Sequence, residues 1–160
     1  KGLTGNTLVL FQLIEKHGKI LHSILEEIVD SSRKIFFVYG GTDADTREKV
    51  RELVEKEKDA IICASYGVYS TGINIRNLHN IVFASPSKSR IRNLQSIGRG
   101  LRRSETKDSA TLYDISDDLS YNGKKNYTLN HFIERVKIYT SEYFPYHIYT
   151  IPIQTITDLL

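Results

Sequence analysis

"NIVFASPSKSRIRNLQSIGRGLRR", residues 80–103, decides how the chain is read. Its first six residues are an apolar run of strand formers, and Ser85-Pro86-Ser87 then reads as a helix start, with Ser85 as N-cap and Pro86 at the first helical position. A helix over about 87–102 follows, since Ile91, Leu94, Ile97 and Leu101 recur on one stripe at about 100° per residue. Gln95, Arg99 and Arg102 fall within about 60° of one another on the adjacent stripe, and Gly98 lies between the two, where the missing side chain permits close approach. A strand passing directly into a helix is the unit of an α/β fold. Forked guanidiniums on a rigid support suit bidentate contact with phosphate oxygens.

The rest of the chain repeats that unit. "TLVLFQL" (7–13), "KIFFVY" (34–39), "AIICAS" (60–65), "NIVFAS" (80–85) and "ATLYDI" (110–115) are apolar throughout, as strands buried on both faces are. They predict a mostly parallel five-stranded sheet with helices on both sides. Residues 17–30 carry Ile20, Ile24, Ile28 and Leu21, Leu25 at helical steps, and residues 42–58 keep only Val50, Leu53 and Val54 apolar above a charged face. A final helix is expected within 125–144, with Phe132, Val136, Tyr139 and Tyr143 on its inward stripe, followed by an extended tail bracketed by Pro145 and Pro152. The tyrosines there read as packing against a core or a neighbouring domain.

Composition narrows the function classes. At 160 residues, 40% hydrophobic and 26% charged, the chain fits one globular domain with a substantial core. No run approaches the roughly 18 apolar residues of a membrane span and no signal peptide opens the chain, so a soluble, cytoplasmic protein is expected. The single cysteine, Cys63, lies within an apolar run and reads as a small buried hydrophobe; the five histidines show no ligand spacing, so no metal site is expected. With no methionine and Lys1 at its start, the sequence reads as a piece of a longer polypeptide. Net charge is only +3, but Arg76 to Lys107 holds eight basic residues and one acid, Glu105. Exposed ion pairs contribute about 0–1 kcal/mol each, too little to explain that cluster as a stability device. The blander reading has Arg102 and Arg103 capping their helix or pairing with Asp108 or Asp114.

"QSIGRGLR" resembles motif VI of superfamily 2 helicases, Gln-x-x-Gly-Arg-x-x-Arg, on their second RecA-like domain. "TLVLF" is similar to motif IV, "YGG" (39–41) followed by Arg47-Glu48 resembles the stretch after the second strand, and "TGINI" (71–75) resembles motif V. Together they cover roughly residues 5–116, and the wording is most similar to the phage recombination helicases of that superfamily. The resemblance implies a RecA-like three-layer domain over 1–124, with a helical and extended extension over 125–160 packed on it. It implies ATP with magnesium as cofactor, the magnesium ligands belonging to an N-terminal RecA-like half of the same polypeptide. The chain itself has no P-loop: Gly18-Lys19 and Gly123-Lys124 are followed by Ile20 and Lys125. By the same resemblance Arg102 is the arginine finger, Arg99 a second phosphate contact, Gln95 a residue positioning water or phosphate, and Gly72 and Asn74 nucleotide contacts. Asn74 stands where the family usually has an aspartate.

Gly40, Arg47, Ser65, Tyr66 and Thr71 are the implied nucleic-acid contacts, in loops after the first three strands, although the usual glutamine partner of Arg47 is Ala44 here. Tyr66 and Tyr69 either stack on bases, worth about 1–3 kcal/mol each, or anchor the loop by packing. The implied partner is DNA, branched or partly single-stranded. The host cytoplasm is the implied location if a phage encodes the chain. A non-catalytic nucleic-acid-binding module and half of an RNA helicase are the alternatives.

Overall fold

The computed structural model describes residues 2–71, 75, 77–85 and 110–152. Five strands, β1 (Thr7–Phe11), β2 (Ile35–Val38), β3 (Ile61–Ser65), β4 (Asn80–Phe83) and β5 (Thr111–Asp114), form one sheet in the order β2-β3-β1-β4-β5. Every pairing is parallel, with Phe11 opposite Ser65, Val38 opposite Ala64, and Phe83 opposite both Leu10 and Asp114. Each of the five apolar runs therefore became a strand, one or two residues shorter than its apolar stretch.

Both faces of the sheet are covered, and side-chain alternation assigns each residue to its face. Leu8, Leu10, Ile62 and Ala64 face one core with Val50, Val54, Tyr66, Val68 and Tyr139. Val9, Phe11, Ile61 and Cys63 face the other, under Ile14, Leu21, Leu25 and Val29. The helices are α1 (Lys19–Ile28), α2 (Ala44–Lys56), α3 (Tyr66–Thr71) and α4 (Tyr127–Ser141). α1 packs on the second face and α2 on the first. The sheet direction explains this: the β1-to-β2 connection runs one way along the sheet and the β2-to-β3 connection runs back, so right-handed crossovers must use opposite faces. Cys63 is fully buried, and burial pushes its thiol up to about 12. Among the described residues no three His, Cys, Asp or Glu side chains gather as a metal site, and no helix is long and apolar enough to cross a membrane.

Three local expectations need correction. The helix after β1 opens with a π-helical turn, Ile14–Gly18, so helical structure begins three residues earlier than expected. Gly18 permits it: a Cβ there would stand 2.5 Å from the Phe11 ring. Only one of the two apolar rows of α1 packs inward. Leu21 and Leu25 meet the sheet, while Ile20, Ile24 and Ile28 are exposed, because a single helix on one sheet face covers it with one stripe.

The third correction concerns α4. Of the expected row, Tyr139 is buried and Val136 packs against the core, while Tyr143 is 93% exposed; the other buried residues of the helix are His131 and Arg135. The helix is turned by about one residue because Asp114, at the end of β5, holds Arg135 and Tyr139 beneath it.

Candidate nucleic-acid and nucleotide interface

In an open parallel sheet, ligands gather outside the carboxyl ends of the strands. The register brings three such ends level: Val38 lies opposite Ala64, and Phe11 opposite Ser65. Tyr39-Gly40 and Ser65 consequently sit at the same edge on neighbouring strands, about 4.8 Å apart in the pairing direction. Gly40 is exposed in the turn that follows β2, closed by the Thr42 N–H donating to the Tyr39 carbonyl at 2.9 Å and the Tyr39 N–H donating to Thr42 Oγ1 at 3.1 Å.

That turn delivers the chain into α2. Asp43 is the N-cap: its carboxylate accepts from the Thr46 N–H and from Thr46 Oγ1, both at 2.8 Å. Those bonds hold its carboxyl below the usual aspartate range, so it stays ionised over the positive end of the helix. Arg47, one turn on, is partly exposed and donates through Nε to the Asp43 carbonyl at 3.4 Å. Its nearest carboxylate neighbours are otherwise engaged, Asp43 with Thr46 and Glu48 with Arg51. A guanidinium beside an exposed glycine turn is suited to backbone phosphate, where the chain must come close and a cation must answer the charge.

Gly40 and Ser65 are thus brought to one edge, Ser65 buried there at 8% exposure, and Arg47 follows in the first turn of α2. Tyr66 does not join them. Where a loop was expected after β3, α3 starts at once, and its first residue turns inward: Tyr66 is 2% exposed, its ring 5.7 Å from Phe83. Tyr69 packs against the same core, and burial raises its hydroxyl pKa. The Tyr66 ring is thus enclosed and not placed to stack on a base, while Tyr69 is partly buried against the core. Thr71 closes α3. Of the motif V stretch, Ile75 is described and lies in the core at 4% exposure. Gly72, Asn74, Gln95, Arg99 and Arg102 lie outside the described residues, as does Pro86 and the helix expected to carry the arginines. Ser85 is described, and its hydroxyl accepts from the Gln12 N–H at 2.9 Å, tying the ends of β1 and β4 together.

Asp114 completes the edge. Arg135 grips it with Nε on Oδ2 at 2.7 Å and Nη2 on Oδ1 at 2.8 Å, and the Tyr139 hydroxyl donates to Oδ2 at 2.7 Å. The pair is nearly sealed, with side-chain exposures of 2% and 8%. Burial, then the neighbouring carboxylate, pushes the Tyr139 hydroxyl well above the usual phenol range, so it remains a donor. The pairing of Arg102 with Asp114 that a purely structural reading allows finds this carboxylate already holding three donors. Sequence reasoning missed Arg135. The signal was available: an aspartate closing an otherwise apolar strand requires a buried cation or donor nearby.

Comparison with known proteins now decides the family. Residues 2–104 match the helicase conserved C-terminal domain. The chain belongs to that family. It is 40% identical over 156 residues to the ATP-dependent DNA helicase UvsW of Enterobacteria phage T4, a match taking in 91% of this chain and 30% of that protein. The crystal structure of T4 UvsW superposes with a TM-score of 0.67 at 39% identity, over 86% of this chain and 29% of that one. Domain 2 of the DEAD-box helicase Mss116p, solved with an RNA duplex, superposes with a TM-score of 0.58 at 17% identity, over 71% of this chain and 43% of that one, and shows the shared RecA-like fold. The chain therefore spans less than a third of the length of its phage relative.

Proposed function

We propose that this chain is the C-terminal motor half of an ATP-dependent DNA helicase that unwinds or branch-migrates branched DNA such as forks, Holliday junctions, D-loops and R-loops, acting in the cytoplasm. The observation that supports the reading is the 40% identity to a phage DNA helicase of a chain whose β2 and β3 end level, next to Gly40 and Ser65, with Arg47 on the helix that follows β2. Residues 1–124 form the motor domain and 125–160 an extension on it; Tyr139 of α4 shares the core of the sheet.

The roles divide between two surfaces. Gly40, Arg47, Ser65 and Thr71 hold the DNA backbone by shape and charge, without reading sequence. Gly72, Asn74, Gln95, Arg99 and Arg102 face a nucleotide held across a cleft by the other RecA-like half, which supplies the P-loop and the magnesium ligands. Bound ATP supplies the phosphoryl group whose loss weakens the closed state. Arg102 answers the charge that develops there, Arg99 holds the phosphates, and Gln95 orients them or the water. Both arginines engage phosphate only when the halves meet, so nucleotide turnover alternates closure and release, and alternate grips on the backbone turn that cycle into steps.

Arg102→Ala in the full-length protein tests this. An arginine finger is worth about 10³–10⁵ in rate, so DNA-dependent ATP turnover falls by roughly that factor while DNA affinity stays within a few-fold. If instead DNA binding falls, its salt slope drops by about one unit and turnover was absent from the start, the chain is a non-catalytic binding module. Activity on RNA duplexes in place of DNA corrects the substrate.

A further inference from the structure

We propose that the face formed by α4 and the tail beyond it is a docking surface for the other motor half of the same polypeptide. This rests on the motor reading above and adds an element that the reading did not use. Past Ser141 the chain turns back on α4. The Phe144 N–H donates to the Tyr139 carbonyl at 2.9 Å, Tyr146 Oη lies 3.1 Å from Thr140 Oγ1, and the rings of Tyr139 and Tyr146 are 6.3 Å apart. Between helix and tail lies an open groove of about 420 Å³, with Phe132, Ile133, Val136 and Ile148 as its apolar wall and Lys137 and Thr140 beside them.

The surface around it is strongly apolar. Tyr143 is 93% exposed, Ile148 59%, Tyr149 83% and Ile151 65%. Single exposed apolar side chains are ordinary, but a run of them beside an apolar groove marks an interaction site. The chemistry favours protein over nucleic acid. From Tyr143 to Pro152 the sequence holds no lysine, arginine, aspartate or glutamate, whereas a strand-binding platform combines aromatics with cations that follow the phosphates. Tyrosine-rich, charge-poor faces are what protein interface cores look like.

The occupant follows from two further facts. The match to the phage relative takes in 91% of this chain, so it necessarily includes α4, although the family domain ends at residue 104; yet this chain accounts for only 30% of that relative. In that relative the match that includes α4 belongs to a polypeptide more than three times as long as this chain. The anchor also fixes its position, because Arg135 binds Asp114 at the carboxyl end of β5, the same edge on which the ligand-binding residues gather. A face held rigidly at that edge is in place to meet a domain closing over it, with little ordering left to be done on contact.

The experiment uses the full-length protein with a photo-crosslinking amino acid in place of Tyr149, irradiated with DNA and a non-hydrolysable ATP analogue. The expected product has the mass of one chain, and its cross-linked peptide comes from the half that carries the P-loop. Products confined to residues 1–160, a product of two-chain mass, or label on the DNA each overturn the proposal. ATP turnover is measured on the same variant and on the parent protein with ATP in place of the analogue: turnover without the expected cross-link removes the docking face alone, and absence of turnover in the parent protein removes the motor reading. A second variant, Ile148→Asp, alters an exposed side chain and so leaves the fold intact. It lowers DNA-dependent turnover by about tenfold with DNA affinity unchanged, the scale expected for a charge placed in an interface core. Unchanged turnover in that variant overturns the proposal as well.

Discussion

The two edges of the sheet use polar residues in opposite ways. At the amino edge nearly every polar group is committed to the chain itself. Asn6, fully buried, donates to the carbonyls of Val54, Glu57 and Asn77 and accepts from the Ala60 N–H, tying the end of α2 and the segments before β3 and β4 to β1. Arg33 donates to the carbonyls of Leu3, Gly5 and Asp59, and Asn80 to that of Thr4. At the carboxyl edge Gly40 is open and Arg47 makes one long bond to a backbone carbonyl. The amino edge is a seam that closes the fold, and the carboxyl edge is where the proposed function puts a ligand. Substitutions at the first should cost stability, and at the second binding.

Arg135 is the strongest challenge to that division, since it lies beneath the carboxyl edge and yet spends its Nε and Nη2 on Asp114. Among the described residues its buried Nη1 has no hydrogen-bond partner, so the ion pair is held there at the cost of one unmatched donor. Removing one member of such a pair strands the other in a dry site. Arg135→Met is expected to lower unfolding free energy by about 3–5 kcal/mol, read from urea denaturation. Replacing all three members together, Arg135→Met with Asp114→Leu and Tyr139→Phe, recovers most of the loss, because no buried charge is left unanswered. Failure of that recovery would show that the cluster holds α4 by geometry that apolar contact does not replace.

Asn6→Ala probes the seam. It takes from the Asn77 carbonyl and the Ala60 N–H the partner described for each, while the Val54 carbonyl keeps the Glu57 N–H and the Glu57 carbonyl keeps Asn77 Nδ2, so the expected loss is about 3 kcal/mol. For a chain of this size that lowers Tm by roughly 6–12 °C. DNA affinity of the folded fraction at low temperature stays unchanged. A loss of affinity without a loss of stability would erase the contrast between the edges.

What the sequence discloses follows the same division. Strands buried on both faces appear as unbroken apolar runs, so "TLVLF" and "IICAS" announced both the sheet and its parallel pairing. Helix rotation was less visible. A helix between a core and solvent shows its stripe only if its buried residues are apolar, and α4 buries His131 and Arg135. The partner of Arg135, Asp114, lies on a strand distant in sequence, and no local period encodes such a pair. α1 misled in the other direction, with two adjacent apolar rows of which the sheet takes only one. At the candidate site, Gly40 and Arg47 were reached only through the family resemblance, since neither turn nor helix period marks them as contacts. The placement of Tyr66 was not legible, because a tyrosine after a buried strand serves a core or a ligand equally well until α3 turns it inward.

Arg47→Ala gives the smallest effect and the cleanest reading of the carboxyl edge. The side chain forms no ion pair among the described residues and gives up only a 3.4 Å bond to the Asp43 carbonyl. Asp43 keeps its cap on α2 through Thr46, so the helix start does not depend on Arg47. Stability is expected to move by no more than about 0.5 kcal/mol, the usual range for a surface substitution. Binding should respond differently. Loss of one phosphate contact weakens affinity for all DNA sequences alike and lowers the slope of log affinity against log salt by about one unit. Arg47→Lys separates charge from geometry. If the guanidinium acts only as a positive charge, lysine restores the slope and most of the affinity; if it grips a phosphate through two donors beside the Gly40 turn, lysine restores the slope and leaves affinity low. An unchanged salt slope in Arg47→Ala, with affinity intact, would mean that DNA does not pass over this edge. The contrast between the two ends of the sheet would then have to be drawn from the arginines of residues 95–103 alone.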